Sequence, residues 1–245
     1  MDMEISAEAP ERLRLSRSVA VLTGAGISAE SGVPTFRGPD GLWKKHRPEQ
    51  LATPQAFARD PDLVWEWYHW RRALVRSVRP NPGHDAIAWL ERNVEHFTLI
   101  TQNVDGLHRE AGNERILELH GTIHRARCQD CPAVVDLAGE DGVIICPACG
   151  GLMRPDVVWF GESLDRKTLE SAYVASAGAD FLMVVGTSSV VQPAASLAYA
   201  ALGNGGYVLE VNLDPTPLTG TASGTILGKG GEVLPELVRL AFGKP

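Results

Sequence analysis

The sequence has no apolar run near the roughly 20 residues a helix needs to cross a bilayer. Its apolar stretches, such as Phe181 to Val185, are short, so no membrane partner is expected. It also lacks a surplus of positive charge. With 23 Lys and Arg against 30 Asp and Glu, the net charge is -7, the reverse of a nucleic-acid binder's basic footprint, and direct nucleic-acid binding is not expected. The amino-terminal MDMEISAEAPERLR has neither the apolar core of a secretory signal nor the acid-poor composition of a transit peptide, so a cytoplasmic protein is the expectation. No internal repeat or low-complexity linker is visible, and the short termini lead to the expectation of a monomeric core without regulatory arms. No cysteine stands outside two C-x-x-C pairs.

What is present is an ordinary globular composition, 44% hydrophobic and 22% charged over 245 residues, long enough for a large domain with a small satellite. Apolar runs at Val19 to Leu22, Phe97 to Ile100, Ile116 to Leu119, Phe181 to Val185 and Tyr207 to Val211 each give way to polar or glycine residues. Helical segments are expected at Asn81 to Asn93, Leu164 to Ala177 and Pro193 to Leu202. This alternation predicts an α/β fold with a doubly wound parallel, Rossmann-like sheet and a cleft beyond its carboxyl ends. A Trp-rich stretch and the cysteine segment interrupt the pattern. The predicted division is a Rossmann-like nucleotide domain over 1–40, 80–124 and 154–245, with 41–79 and 125–153 forming a smaller helical and zinc-ribbon domain.

Cys128 and Cys131, with Cys146 and Cys149, form two knuckles that can place four thiolates around one zinc. Four thiolates leave no open coordination position, so such a metal is structural. Two disulfides or redox pairs are the competing reading, although a redox C-x-x-C usually opens a helix in a βαβ unit.

Gly24, Ala25 and Gly26 make a glycine turn after the first strand without completing G-x-G-x-x-G. The run continues GAGISAESGVPTFRG, and the chain later carries TQNVDGLH from Thr101, His120-Gly121, the cysteine pairs, Arg154-Pro155, VWFGE from Val158, Gly186-Thr187-Ser188 and Val211-Asn212. In this order and over essentially the whole chain, these motifs resemble the sirtuin family, in its bacterial or archaeal form. The resemblance implies an NAD-dependent protein-lysine deacylase that consumes NAD. Glycine permits close approach and a helix start is electropositive, so backbone amides of the Gly24 turn can receive a pyrophosphate, and the turn at Gly186, Thr187 and Ser188 offers a second such site. By resemblance, Phe36 and Arg37 border the reactive ribose, Gln102 contacts it, and Ile27, Asn103 and Asp105 line the nicotinamide pocket. Asn212, Leu213 and Asp214, with Gly230, belong to the same cofactor set, Asn212 and the residues after it holding adenosine.

His120 follows a strand-like run and precedes a glycine, where an imidazole can act as a base. The resemblance implies that the acyl-lysine oxygen displaces nicotinamide and that His120 then deprotonates a ribose hydroxyl, yielding O-acyl-ADP-ribose and free lysine. His108 is expected to be structural, and His46, His69, His84, His96 and His124 carry no assigned role.

In WEWYHWRR, Tyr68 and Arg71 share one helical face, and a phenol with a guanidinium is a natural carboxylate receptor. Packing aromatics with solvent-facing arginines is the plain alternative. Within the family, Tyr-x-x-Arg with Ala52 resembles members acting on succinyl and malonyl lysine, with acetyl removal expected too. Val158 and Phe160 would edge the channel for the acylated-lysine peptide. The competing functions are a protein that is mainly a deacetylase, an ADP-ribosyltransferase and a non-catalytic NAD-binding or zinc-ribbon module.

Overall fold

The computed structural model describes residues 5–35, 48–139 and 141–243, without the side chains of residues 48 and 49. Phe36, Arg37 and His46 lie outside the described residues. Helix α1 (Glu8–Leu15) leads to strand β1 (Ser18–Thr23), and α2 (Ala25–Ala29) starts directly after Gly24. Helices α3 (Pro48–Leu51), α4 (Pro54–Arg59), α5 (Pro61–Arg76) and α6 (Pro82–Asn93) precede β2 (His96–Thr101), α7 (Leu107–Glu110) and β3 (Ile116–Glu118). Strands β4 (Gly121–Cys128), β5 (Val134–Asp136) and β6 (Met153–Val157) come next, then α8 (Arg166–Ala177) and β7 (Phe181–Val185). The chain finishes with α9 (Ser196–Gly203), β8 (Tyr207–Asn212), β9 (Gly224–Leu227) and α10 (Gly230–Phe242).

The larger sheet is parallel throughout, in the order β3-β2-β1-β7-β8-β9. Its strands are apolar on both faces because each face carries helices. Along β1, Val19 and Val21 pack in one layer with Leu13 of α1, Leu90 of α6 and Leu237 of α10, while Ala20 and Leu22 join Ala172 of α8 and Leu197 of α9. Strand order reverses between β1 and β7, so their carboxyl ends open the crevice where such sheets take ligands. The expected strands agree with β1, β2, β3, β7 and β8 to within a residue or so at each end. Residues 193–195 form turns, and α9 is helical only from Ser196.

A second, antiparallel sheet, β5-β4-β6, shares its own core with α3 to α5. It runs from Gly121 to Val157, a few residues wider at each end than 125–153. Three side chains of α5 pin this helix to the sheet and its loops. The Trp65 indole donates to Met153 O at 3.0 Å, His69 Nε2 donates to Gly142 O at 2.8 Å, and Arg76 donates to Leu137 O at 2.9 Å. Among the described residues, no helix is long and apolar enough to cross a membrane.

Candidate active site

The turns after β1 and β7 meet backbone to backbone. The amide of Gly24 donates to Val185 O at 3.0 Å and that of Gly26 to Gly186 O at 2.8 Å. A Cβ on Gly26 would lie 2.6 Å from Gly186 Cα, and one on Gly186, which has φ of 60°, would lie 2.5 Å from Ile27 N. These glycines therefore serve turn-to-turn contact, and of the amides in the Gly24 turn and at the helix start expected to receive a pyrophosphate, those of Gly24 and Gly26 are engaged in it. Gly230 likewise lies in packing, its absent Cβ facing Val185 and Ile27 side chains at 3.3 and 3.7 Å. Thr187 gathers the strand ends: its hydroxyl accepts from Gln102 Nε2 at 3.0 Å and its carbonyl from Asn212 Nδ2 at 2.9 Å. Ser188 and Leu213 are exposed beside it, as is Asp214, giving this rim polar groups that a nucleotide can reach.

His120 sits between β3 and β4, half-buried. Its Nδ1 lies 2.9 Å from Gln102 O. A carbonyl only accepts, so Nδ1 carries the proton and Nε2 keeps its lone pair. Burial lowers its pKa below the usual histidine value, the Gln102 carbonyl opposing this, so the free-base form is present at neutral pH. The His120 carbonyl accepts from Val158 N at 2.9 Å, joining the histidine to the 158–160 segment.

Asn103 and Asp105 are buried beside α2, where Ile27 is fully buried. Asn103 Nδ2 donates to Gly24 O at 3.0 Å and to Ser28 Oγ at 3.2 Å. Asp105 Oδ1 accepts from Leu107 N at 3.0 Å. Burial pushes the Asp105 carboxyl above its ordinary range, although the Leu107 amide, Ser28 and Arg71 favour the ionised form. Amide and carboxyl groups of this kind suit a carboxamide ligand, which needs a donor and an acceptor together. Ser28, unassigned from the sequence, touches both groups. Its place in GAGIS was the available signal.

Tyr68 and Arg71 are both buried on α5, 2% and 6% exposed. The Arg71 guanidinium lies over the Trp67 ring at 4.8 Å. Burial lowers its pKa, with Tyr68 and Asp105 opposing that shift. Tyr68 Oη accepts a 2.8 Å hydrogen bond from the Trp159 indole. Trp159 is in turn faced by Arg154, whose guanidinium is 3.4 Å from its ring centroid and ion-paired to Glu162. Phe160 N donates to Ala52 O at 3.0 Å, bringing Ala52, Tyr68 and Phe160 into one neighbourhood. Sequence reasoning did not single out Trp159, because its hydrogen bond to Tyr68 spans 91 residues.

In the 158–160 segment, where Val158 and Phe160 are expected to edge the peptide channel, the backbone amides are engaged within the protein. The Val158 amide is donated to His120 O, the Trp159 amide to Glu162 Oε2 at 2.8 Å and the Phe160 amide to Ala52 O. A peptide therefore cannot take hydrogen bonds from these three amides in this conformation.

The four cysteine sulfurs lie within 4.8 Å of one another. Cys128 and Cys149 are 3.5 Å apart and Cys131 and Cys146 3.6 Å, far beyond a disulfide's roughly 2 Å. Four sulfurs at about 2.3 Å from one zinc would stand just under 4 Å from each other, so the set fits a tetrahedral zinc. Amides of Asp130 and Gly151 donate to Cys128 and Cys149 Sγ at 3.3 and 3.4 Å, as thiolate ligands require.

This is a doubly wound α/β protein with a thiol-centred insertion beside its switch point. The comparisons with known proteins give its family: the chain belongs to the Sir2 family, whose model matches residues 24–193. It is 54% identical over 228 residues to NAD-dependent protein deacylase 2 of Pyrobaculum aerophilum, covering 92% of each chain. A solved complex of a Sir2 homolog with NAD is similar at a TM-score of 0.93 and 46% identity, covering 98% of this chain and 94% of the other. A Sir2 variant with a deacetylated p53 peptide and 3'-O-acetyl ADP ribose matches at a TM-score of 0.86 and 32% identity, covering 97% and 98%.

Proposed function

We propose that the protein is an NAD-dependent protein-lysine deacylase that removes succinyl and malonyl groups, and acetyl groups as well, releasing nicotinamide and O-acyl-ADP-ribose. The observation that carries the deacylase reading is His120, held by the Gln102 carbonyl with Nε2 as its basic nitrogen at the mouth of the crevice. The deacylase relative and the solved complexes with NAD and with a deacetylated peptide support it. Bound NAD supplies an anomeric carbon from which nicotinamide can leave in favour of the acyl-lysine oxygen.

The chain's own residues then have distinct tasks. Ile27, Asn103 and Asp105 orient the nicotinamide, Gln102 the ribose, and the Thr187, Ser188 and Asn212 rim with Leu213 and Asp214 the adenosine end. Phe36 and Arg37, outside the described residues, are assigned to the border of the reacting ribose by the family resemblance alone. His120 takes a proton at Nε2 from a ribose hydroxyl, which becomes the nucleophile toward the acyl carbon. Cys128, Cys131, Cys146 and Cys149 would hold a zinc with all four thiolates, which would serve to hold the smaller domain together and not to act on substrate. In this reading, residues 1–40, 80–124 and 154–245 form the nucleotide domain and 41–79 with 125–153 the smaller one, whose antiparallel sheet extends these bounds to Gly121 and Val157.

The acyl preference is carried by the environment of Tyr68. Trp159 donates to the phenol oxygen, which leaves the phenol proton to be donated to a substrate carboxylate. Arg71 adds a buried positive charge beside it. An acetyl group has no carboxylate to meet either. The test is mass spectrometry of products from NAD with matched acetyl-, succinyl- and malonyl-lysine peptides. Release of O-succinyl-ADP-ribose faster than O-acetyl-ADP-ribose is expected. An ADP-ribosylated protein product would overturn the deacylase reading, and equal or slower desuccinylation would overturn only the preference.

A further inference from the structure

Two buried histidines remain outside this chemistry. His84 is fully buried at the start of α6 and His108 is 2% exposed on α7, with ring centroids 4.8 Å apart. Each has one ring nitrogen with no hydrogen-bond partner, Nε2 of His84 and Nδ1 of His108. Burial lowers the pKa of His84 to about 4, and burial, then His84, holds His108 well below its ordinary value. Both rings are therefore neutral at pH 7, each with one donor and one acceptor nitrogen.

The proton position on each ring follows from its own hydrogen-bond partner. The Asn81 backbone amide lies 3.3 Å from His84 Nδ1, and an amide only donates, so His84 carries its proton on Nε2. Thr23 Oγ1 lies 3.0 Å from His108 Nε2 and 2.8 Å from Thr101 Oγ1. Because the Thr23 hydroxyl donates to Thr101, its oxygen accepts from His108 Nε2, which therefore carries the proton. The two unpartnered nitrogens, His84 Nε2 and His108 Nδ1, take no part in this chain. Thr101 Oγ1 also accepts from Asn103 N at 3.0 Å. Asn103 reaches Gly24 O and Ser28 Oγ, while Asn81 Nδ2 donates to Ile27 O at 2.7 Å and Ser31 Oγ at 2.9 Å. Asn103 at the end of the Thr23 chain and, separately, Asn81 thus grip α2 and its turn.

We propose that Thr23 is a positioning residue for nicotinamide chemistry, the link between His108 and Thr101 in a hydrogen-bonded chain that fixes Asn103. Neither histidine touches substrate in this role. Thr23 is the residue to change because it is fully buried and its two functions separate cleanly. Thr23→Val keeps the volume and loses the hydroxyl; Thr23→Ser keeps the hydroxyl and loses a methyl.

The inference rests on the proposed nicotinamide pocket, so two readouts are needed on the zinc-loaded full chain. The first is exchange of labelled nicotinamide into NAD, measured with an acyl-lysine peptide present. Thr23→Val should raise the nicotinamide concentration for half-maximal exchange about tenfold, the effect of one lost buried hydrogen bond, with the KM for peptide unchanged. Thr23→Ser should restore exchange. An impaired Ser variant beside a normal Val variant would make the role one of packing and overturn the proposal, as would two normal variants. The second readout is nitrogen-15 NMR of the histidines, which needs no turnover. His84 and His108 should both be Nε2–H tautomers, and Thr23→Val should perturb the His108 signals. An Nδ1–H tautomer at His108 would sink the chain even in an active enzyme. Failure of the wild type to exchange nicotinamide would instead remove the nicotinamide pocket and, with it, the positioning role.

Discussion

Replacing Tyr68 by Phe removes a single oxygen, yet two separable losses are expected. The phenol oxygen is the acceptor for the Trp159 indole at 2.8 Å, and Trp159 is 2% exposed, so water cannot substitute for it. A buried donor left unsatisfied costs about 1–3 kcal/mol, which at roughly 2–4 °C per kcal/mol for a chain of this size lowers Tm by several degrees. The second loss belongs to the substrate. A hydrogen bond to a charged group contributes about 1.5–3 kcal/mol, so kcat/KM for succinyl-lysine should fall about tenfold to a hundredfold. Acetyl-lysine should lose little beyond what reduced stability causes, at a temperature where the variant remains folded. The assay is kcat/KM for matched succinyl and acetyl peptides at saturating NAD, alongside thermal unfolding. A drop in Tm with an unchanged ratio of the two kcat/KM values would refute the carboxylate role and leave Tyr68 as packing.

His120→Ala should abolish deacylation while leaving Tm within about a degree or two, because the imidazole is only half-buried; retained turnover would remove it from the mechanism. Burial depresses the His120 pKa, so the acid limb of kcat/KM should fall at a pH below the usual histidine value of about 6.5, with the activity present above that limb. His84 is also depressed, from 6.5 to about 4, and its contribution to stability is full above pH 6.5 and lost as the pH falls toward 4. That difference is worth about 3 kcal/mol, so denaturant unfolding between pH 7 and 4 should show a smaller stability loss in His84→Leu than in wild type. Gly186→Ala should destabilise by more than about 2 kcal/mol, since its φ is 60° and the new Cβ would lie 2.5 Å from Ile27 N; a wild-type melting curve would contradict the close turn contact. Cys149→Ser should reduce bound zinc well below one per chain by atomic absorption, and undiminished zinc would remove Cys149 from the site.

The sheet was legible because parallel strands covered on both faces are largely apolar, and β1 and β7 read as such runs, as does β8 apart from its buried Glu210. Strand β9 escaped notice because it is only four residues long, Gly224–Leu227, and half-exposed. Helix α10 opens on two glycines and contains Pro235, which hid it, although Val233, Leu234, Leu237, Val238 and Ala241 mark a buried helical stripe. At the site, motif order placed His120, Asn103 and the cysteines, whose chemistry depends on local spacing. It could not reveal that the amides of Gly24, Gly26 and residues 158–160 were already engaged, since their acceptors lie on remote segments. The His84 and His108 contact was hidden for the same reason.

The second core has a consequence for redesign. Ala52 and Tyr68 pack there with Phe57, Trp65, Trp159 and Cys128, whereas Ile27 and the strands of the parallel sheet belong to other cores. The residues proposed to read the acyl group and the strands of the parallel sheet thus draw rigidity from separate apolar interiors. A library confined to α4 and α5 could explore new acyl head groups with its unavoidable destabilisation falling on the ribbon side, leaving the sheet and its glycine turns as an unaltered chassis.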